Sequence, residues 1–313
     1  PIKYTTTEEK IIFYDAHIHK DKLWVSTNLG MYELNFDGFI KNYYPVHTFN
    51  FIFFKDLLVS AVPYGGVRIF SDIHNMKYRY EHDYENDHIP SNVVSMAKIG
   101  NSVFFASALT GLYRYEDGKF ESLLKNNEFK EPKLKKITVI NKDNLLVVTD
   151  FNDVYEINFE KDRVKIVSKT EYKDIKGSTT RGLDVINGIT YITTNLGVNV
   201  FKGEKSYFID NEQGFNNYNA IKTFVHGDTL FIGSKKGYFT INNAYFKQER
   251  KEKHQVEIAS IQINNVVRNE FLNNVKDGLH LQSDENNIII KYFVTNTKYP
   301  KKLIFEYRLK ESE

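Results

Sequence analysis

The 313-residue chain sets 42 Lys and Arg against 40 Asp and Glu, a balance without the concentrated basic face expected of a nucleic-acid binder. It has no cysteine, which excludes thiol catalysis, Cys-ligated zinc and disulfides. Aromatic residues make up 15% of the chain, which argues against disorder, and no apolar run approaches the ~20 residues needed to span a bilayer as a helix.

In chain order, Ile2–Thr6 reads as a short strand. The first full unit contains Leu23-Trp24-Val25-Ser26-Thr27-Asn28-Leu29-Gly30-Met31-Tyr32. This is a run of strand formers, a polar break with glycine, and a second apolar run, the pattern of a β-hairpin. The pattern returns five times, with its turn residue at Gly66, Gly111, Asp153, Gly197 and Gly237. The intervals from Gly30 onward are 36, 45, 42, 44 and 40 residues. A drifting period of roughly 40–45 residues, each holding several short strands, marks the blades of a β-propeller. Asp153 fits the series as a residue that tolerates the left-handed conformation.

The motifs support six blades, at about 11–47, 48–88, 89–134, 135–178, 179–217 and 218–246, and leave room for a seventh. Each is expected to run as an inner strand, the hairpin and an outer strand. In the third these are Val93–Lys98, Ser102–Ser107, Gly111–Tyr115 and Lys119–Leu123. Ile2–Thr6 is the candidate for closing the ring beside the last blade, which would remove a free sheet edge. The expected organisation is therefore an all-β chain: a propeller over 1–246, a charged linker over 247–256 and a partial Ig-like β-sandwich over 257–313. Strand patterns in the last part fall at Val256–Asn264, Leu279–Gln282, Asn287–Val294 and Leu303–Leu309. Four strands amount to about half a sandwich, so further chain is expected beyond Glu313.

Asp15-Ala16-His17-Ile18-His19 places two histidines on one face of a strand, as a metal site could use. A His-x-His metal motif of that type belongs to α/β barrels with helices between the strands, and no such helices are legible. An ordinary blade strand is the better reading, and no metal or cofactor is expected. A propeller glycosidase needs two carboxylates about 5–9.5 Å apart, a separation that chain spacing does not reveal. Sialidase-type turns of the form Ser-x-Asp-x-Gly-x-x-Trp are absent, Trp24 being the sole tryptophan. The chain itself is not expected to be an enzyme.

What a propeller offers is a face of loops. The hairpin turns and the connections between blades share one end, where Asn28, Tyr64, Thr110, Asn152, Asn195, Lys235 and Lys236 meet Arg181, Asn217 and Tyr218. From these, Tyr64, Asn152, Arg181, Asn195, Tyr218 and Lys235 are the candidate ligand-binding set. Aromatic rings beside amide and cationic donors suit a sugar or an acidic oligosaccharide.

Leu23-Trp-Val-Ser-Thr-x-x-Gly-Met-Tyr32 resembles the two-component regulator propeller repeat, Leu-Trp-Ile/Val-Gly-Thr-x-x-Gly-Leu followed by an aromatic residue. Looser matches end at Tyr113 and Tyr238. The C-terminal part is similar to the Tyr-rich (Y-Y-Y) β-sandwich that follows such propellers, with Asn287–Val294, Tyr299-Pro300 and Phe305-Glu306-Tyr307-Arg308-Leu309. The resemblance implies the periplasmic sensor region of a bacterial, often hybrid, histidine kinase. It implies a glycan or other small ligand, a homodimer through the sandwich, and membrane-spanning and kinase segments elsewhere in the parent chain. The alternatives are a glycan hydrolase or lyase, distinguished by turnover, and a protein-binding scaffold, distinguished by a broad apolar patch.

Overall fold

The computed structural model describes residues 11–62, 65–81, 89–125, 128–129, 133–160, 163–168, 172, 174–210, 215, 220–234, 237–242, 255–268 and 281–295. The chain divides into two compact units, Pro1–Asn243 and Ala244–Glu313.

The first unit is a β-propeller built from six antiparallel sheets in sequence order. The first sheet holds Phe13–His19 (β1), Lys22–Thr27 (β2), Met31–Leu34 (β3) and Ile40–Tyr44 (β4). The second holds Asn50–Phe54 (β5), Leu57–Ala61 (β6), Val67–Asp72 (β7) and Lys77–Glu81 (β8). The third holds Val93–Ile99 (β9), Ser102–Ser107 (β10), Gly111–Glu116 (β11) and Lys119–Leu124 (β12). The fourth holds Leu134–Asn141 (β13), Asn144–Thr149 (β14), Val154–Glu160 (β15) and Arg163–Ser168 (β16). The fifth holds Thr180–Ile186 (β17), Ile189–Thr194 (β18), Val198–Lys202 (β19) and Lys205–Ile209 (β20). The sixth, among the described residues, has three strands: Ala220–His226 (β21), Thr229–Ser234 (β22) and Gly237–Asn242 (β23). The segment Ile2–Thr6, expected as its fourth strand, lies outside the described residues.

The second strands of the third and fifth blades are buried on both faces because both faces are covered by neighbouring blades. Every residue of β10 and β18 is buried. Apolar layers join consecutive blades. Phe104, Ala106 and Leu112 of the third blade pack with Leu145, Val147 and Tyr155 of the fourth. Val59 and Ile69 pack with Phe105 and Tyr113 between the second and third. Trp24, Met31 and Tyr44 pack with Phe51, Leu58 and Phe70 between the first and second.

The hairpin glycines have a specific cause. A Cβ on Gly30, Gly111 or Gly197 would strike the carbonyl oxygen of Tyr44, Leu124 or Ile209, the last residue of the adjoining outer strand, and all three glycines have φ between +117° and +156°. A Ser or Thr three or four residues earlier closes the turn. Thr27 Oγ1 donates to the Gly30 carbonyl at 2.9 Å, and Ser234 Oγ donates to that of Gly237 at 3.0 Å. In the fourth blade the left-handed residue is Asn152 (φ +65°), not Asp153 as the glycine alignment suggests. The turn from Thr149 to Asp153 places the left-handed conformation on Asn152, an asparagine that tolerates it.

In the second unit, Gln255–Ile263 (β24) pairs antiparallel with Val266–Val267 (β25) and Ile288–Thr295 (β26), in the order β25-β24-β26. The strand expected at Leu279–Gln282 is corrected at its described end: Leu281 and Gln282 are irregular, and the Gln282 amide is held by Glu285 Oε2 at 2.8 Å. The segment Leu303–Leu309 and the Tyr299-Pro300 turn lie outside the described residues.

Candidate functional site at the propeller axis

Neighbouring inner strands β1, β5, β9, β13, β17 and β21 pack side by side around an axis, and all six line one cavity of about 200 Å³. Five of them carry a register shift in their pairing with the second strand, which marks a β-bulge at Tyr14, Val94, Lys135, Arg181 and Ile221. A bulge turns the following side chains relative to a regular strand. The residues immediately after these bulges, Asp15, Ser95, Lys136, Gly182 and Lys222, all line the axial cavity.

Two kinds of residue occupy this ring. The first ties one inner strand to the next. Asp15 Oδ2 accepts hydrogen bonds from the Phe51 backbone amide (3.3 Å) and Asn50 Nδ2 (3.2 Å), with His17 Nε2 at 3.0 Å. Ser95 Oγ accepts from the Ile137 amide at 3.2 Å. Asp184 Oδ2 accepts from the Thr223 amide (3.2 Å) and hydroxyl (2.7 Å). Gly182 is required by close approach, since a Cβ there would meet the Ile221 carbonyl at 2.5 Å and Thr193 Oγ1 at 2.6 Å.

The second kind is cationic. Lys136, Arg181 and Lys222 reach the cavity from three consecutive blades. None of the three makes a hydrogen bond or an ion pair within 4 Å among the described residues, and the Arg181 Nε–H is buried with no acceptor. Burial lowers the pKa of the Lys136 ammonium; Lys222 and Lys135 add to that, while Asp15 and Asp184 oppose it. For Asp15, burial works to raise the pKa, but the His17 contact, the Lys222 charge and the Phe51 amide outweigh it, and the net shift is downward.

The loop-face candidates fare differently. Asn152 Nδ2 donates to the Gly177 carbonyl at 2.9 Å and its Oδ1 accepts from Thr180 Oγ1 at 2.5 Å, tying the fourth blade to the fifth. Asn195 Oδ1 accepts from the amides of Ser178 (3.0 Å) and Thr179 (3.2 Å). Asn28 Oδ1 likewise accepts from the Ile12 amide at 2.7 Å. Among the described candidates, Arg181 reaches the axial cavity. Tyr64, Tyr218, Lys235, Lys236 and Asn217 lie outside the described residues.

Sequence reading missed Lys136, Lys222 and Asp184. A usable signal was present: Asp15, Phe51, Ser95, Lys136, Gly182 and Lys222 stand 15, 15, 16, 17, 15 and 15 residues before their hairpin turn residues. His17 and His19 sit against the rings of Phe51 (4.7 Å, edge-on) and Phe53 (3.9 Å, stacked). Among the described residues no group of three His, Asp or Glu side chains is placed to hold a metal.

A second cavity, about 430 Å³, opens between the first two blades at the end opposite the hairpin turns. Trp24, Phe53, Phe70, His19 and His74 line it. Behind it Tyr44 OH lies 2.6 Å from His74 Nδ1 and 3.3 Å from Glu33 Oε2, which also accepts from Asn42 Nδ2 at 2.6 Å. Burial and the neighbouring Glu33 hold the Tyr44 phenol protonated.

No protein-family model and no curated protein matches the sequence. Among solved structures, the fold is similar to that described as the extracellular domain of hybrid two-component system BT3049 from B. thetaiotaomicron. That likeness has TM-score 0.71 and 15% identity over 89% of this chain and 40% of the other. The corresponding domain of BT4673 from the same organism gives TM-score 0.54 and 10% identity over 82% and 37%. YCF48, solved bound to D1 peptide, gives TM-score 0.56 and 10% identity over 76% and 79%. The chain spans about two fifths of the length of the two extracellular domains.

Proposed function

We propose that this chain is the extracytoplasmic ligand-sensing region of a two-component sensor, located in the periplasm and detecting an acidic oligosaccharide or related small ligand. The observation that carries the reading is the likeness of fold to the extracellular domain of BT3049 over 89% of the chain. The axial cations add to it: a site with three positive groups that have no partner among the described residues suits a negatively charged ligand better than a neutral one. In this reading Arg181 contacts the ligand, whereas Asn152 and Asn195 hold the loops that surround it.

Signalling would pass through the second unit, working as a homodimer, to membrane-spanning and kinase segments of the parent chain. Exposed Ile288, Ile290, Tyr292 and Phe293 on β26 supply apolar surface for such self-association. The chain performs no chemistry itself. A glycan hydrolase or lyase has less support, because Asp15 and Asp184 are both engaged by backbone amides of the next strand.

The test is a thermal-shift screen against neutral and acidic oligosaccharides. A ligand present at 100 times its dissociation constant adds ~2.7 kcal/mol to stability, which moves the midpoint by several degrees. The reading requires at least one acidic oligosaccharide to do so without being cleaved. If none does, or if cleavage products accumulate, it fails.

A further inference from the structure

We propose that the axial cavity is a built anion site, in which Arg181, Lys136 and Lys222 bind one oxoanion group: the carboxylate or sulfate of a sugar, or a free sulfate or phosphate. The three cations come from β13, β17 and β21 and converge on the same space. The two carboxylates that line it do not occupy them. Asp15 faces Asn50, Phe51 and His17, and Asp184 faces Thr223. Among the described residues the cavity thus holds one more cation than carboxylates, and the spare donors are the cationic ones.

Geometry limits the ligand. At about 200 Å³ the cavity is smaller than the ~300–1,000 Å³ of sites that enclose a drug-sized molecule, so it takes a single group and not an oligosaccharide chain. Guanidinium presents a planar fork matched to carboxylate, sulfate or phosphate, and ammonium groups add point charges without fixed direction. Arg181 occupies a bulge whose position is fixed by Gly182, because the approach of β21 leaves no room for a side chain there. The backbone from which Arg181 reaches the cavity is therefore held by packing before any ligand arrives. An anion would also relieve the cost of keeping the Lys136 charge away from water.

The experiment titrates the purified chain with sodium sulfate, sodium phosphate, sodium glucuronate and a sulfated monosaccharide. Sodium chloride at matched ionic strength is the control, and binding is read by calorimetry and thermal shift. Saturable binding of at least one oxoanion is expected, weakened roughly tenfold or more in Arg181→Gln, as for loss of a charge-assisted hydrogen bond. Lys136→Met should weaken it as well while folding normally by circular dichroism, so that a folding defect in one variant leaves the other as the test. Binding of the inorganic ions alone assigns the site to a free anion; binding of glucuronate or the sulfated sugar assigns it to an acidic saccharide. The proposal is overturned if chloride reproduces every shift, or if both variants bind the oxoanion as tightly as the wild-type chain. Either outcome concerns this cavity only, since a sensor whose ligand binds elsewhere would still respond in the oligosaccharide screen.

Discussion

The loop face and the axis of the propeller use polar residues in opposite ways. At the loop face Asn28, Asn152 and Asn195 turn their side chains onto nearby backbone and close the chain's own turns. At the axis Lys136, Arg181 and Lys222 point into a shared space with no partner among the described residues. A polar group with its hydrogen bonds made inside the fold contributes to stability and has little left for a ligand. Of the axial cations, Lys136 is disfavoured in its charged form by burial, and an anion beside it offsets that cost.

The scaffold half of this contrast breaks most visibly at the hairpin glycines. Gly197→Ala places a Cβ against the Ile209 carbonyl at a φ of +156°, so the turn and the outer strand must move apart. A loss on the order of 3 kcal/mol is expected, measured as a fall in the urea midpoint with unchanged slope. Gly237→Ala is the control, because a Cβ there meets nothing within 4 Å; it should cost clearly less.

The same glycines explain what could be read in advance. In the first, third and fifth blades backbone geometry forces glycine where the third strand starts against the outer strand, so the repeat is printed in the sequence at Gly30, Gly111 and Gly197. The axial site is not forced in this way. Lys136 and Lys222 look like ordinary polar positions in a half-buried strand, and their meeting depends on closing a ring of strands 36 to 45 residues apart in sequence. Bulges hide it further, since each shifts the alternation that would otherwise show which residues face the axis. The fourth-blade turn misled because its left-handed position falls on Asn152, one place before the aligned Asp153.

A smaller effect is expected at Asn152→Ala, which removes the donor to Gly177 and the acceptor for Thr180. Two hydrogen bonds at ~1 kcal/mol each set the scale of the loss, and the oxoanion affinity of the axial site should stay at its wild-type value. If affinity fell with stability, the loop face would be part of the binding surface and the contrast between the two regions would blur.

At the axis the sign reverses. Lys136→Met removes a charge that burial disfavours, so in chloride buffer the variant should be as stable as the wild-type chain or more so by up to ~1 kcal/mol. The pH dependence follows from linkage. The unfolded chain holds the Lys136 proton with the ordinary value of 10.5, and the folded chain holds it less tightly. The penalty is therefore present in full at neutral pH and fades as pH rises through the lowered folded value toward 10.5. The stability gap between variant and wild type should narrow over that alkaline range, and saturating oxoanion should close or reverse it at neutral pH.

Asp15 gives the smallest and most local effect, on the acid side. Its folded pKa is below the ordinary 3.8, so its carboxylate contributes stability that is complete above that value and is lost as pH falls through the lowered folded one. Because the Phe51 amide and Asn50 both donate to Oδ2, protonation weakens the join between the first and second inner strands, and only that join. Asp15→Asn keeps the shape and removes the titration. Its unfolding midpoint should track the wild-type chain at a constant offset near neutrality and converge with it as the pH drops below 3.8. Hydrogen exchange at the Phe51 amide under the same conditions would show whether the loss is confined there. Faster exchange at Thr223, where Asp184 performs the equivalent task, would mean that the ring of inner strands opens as one body and not join by join.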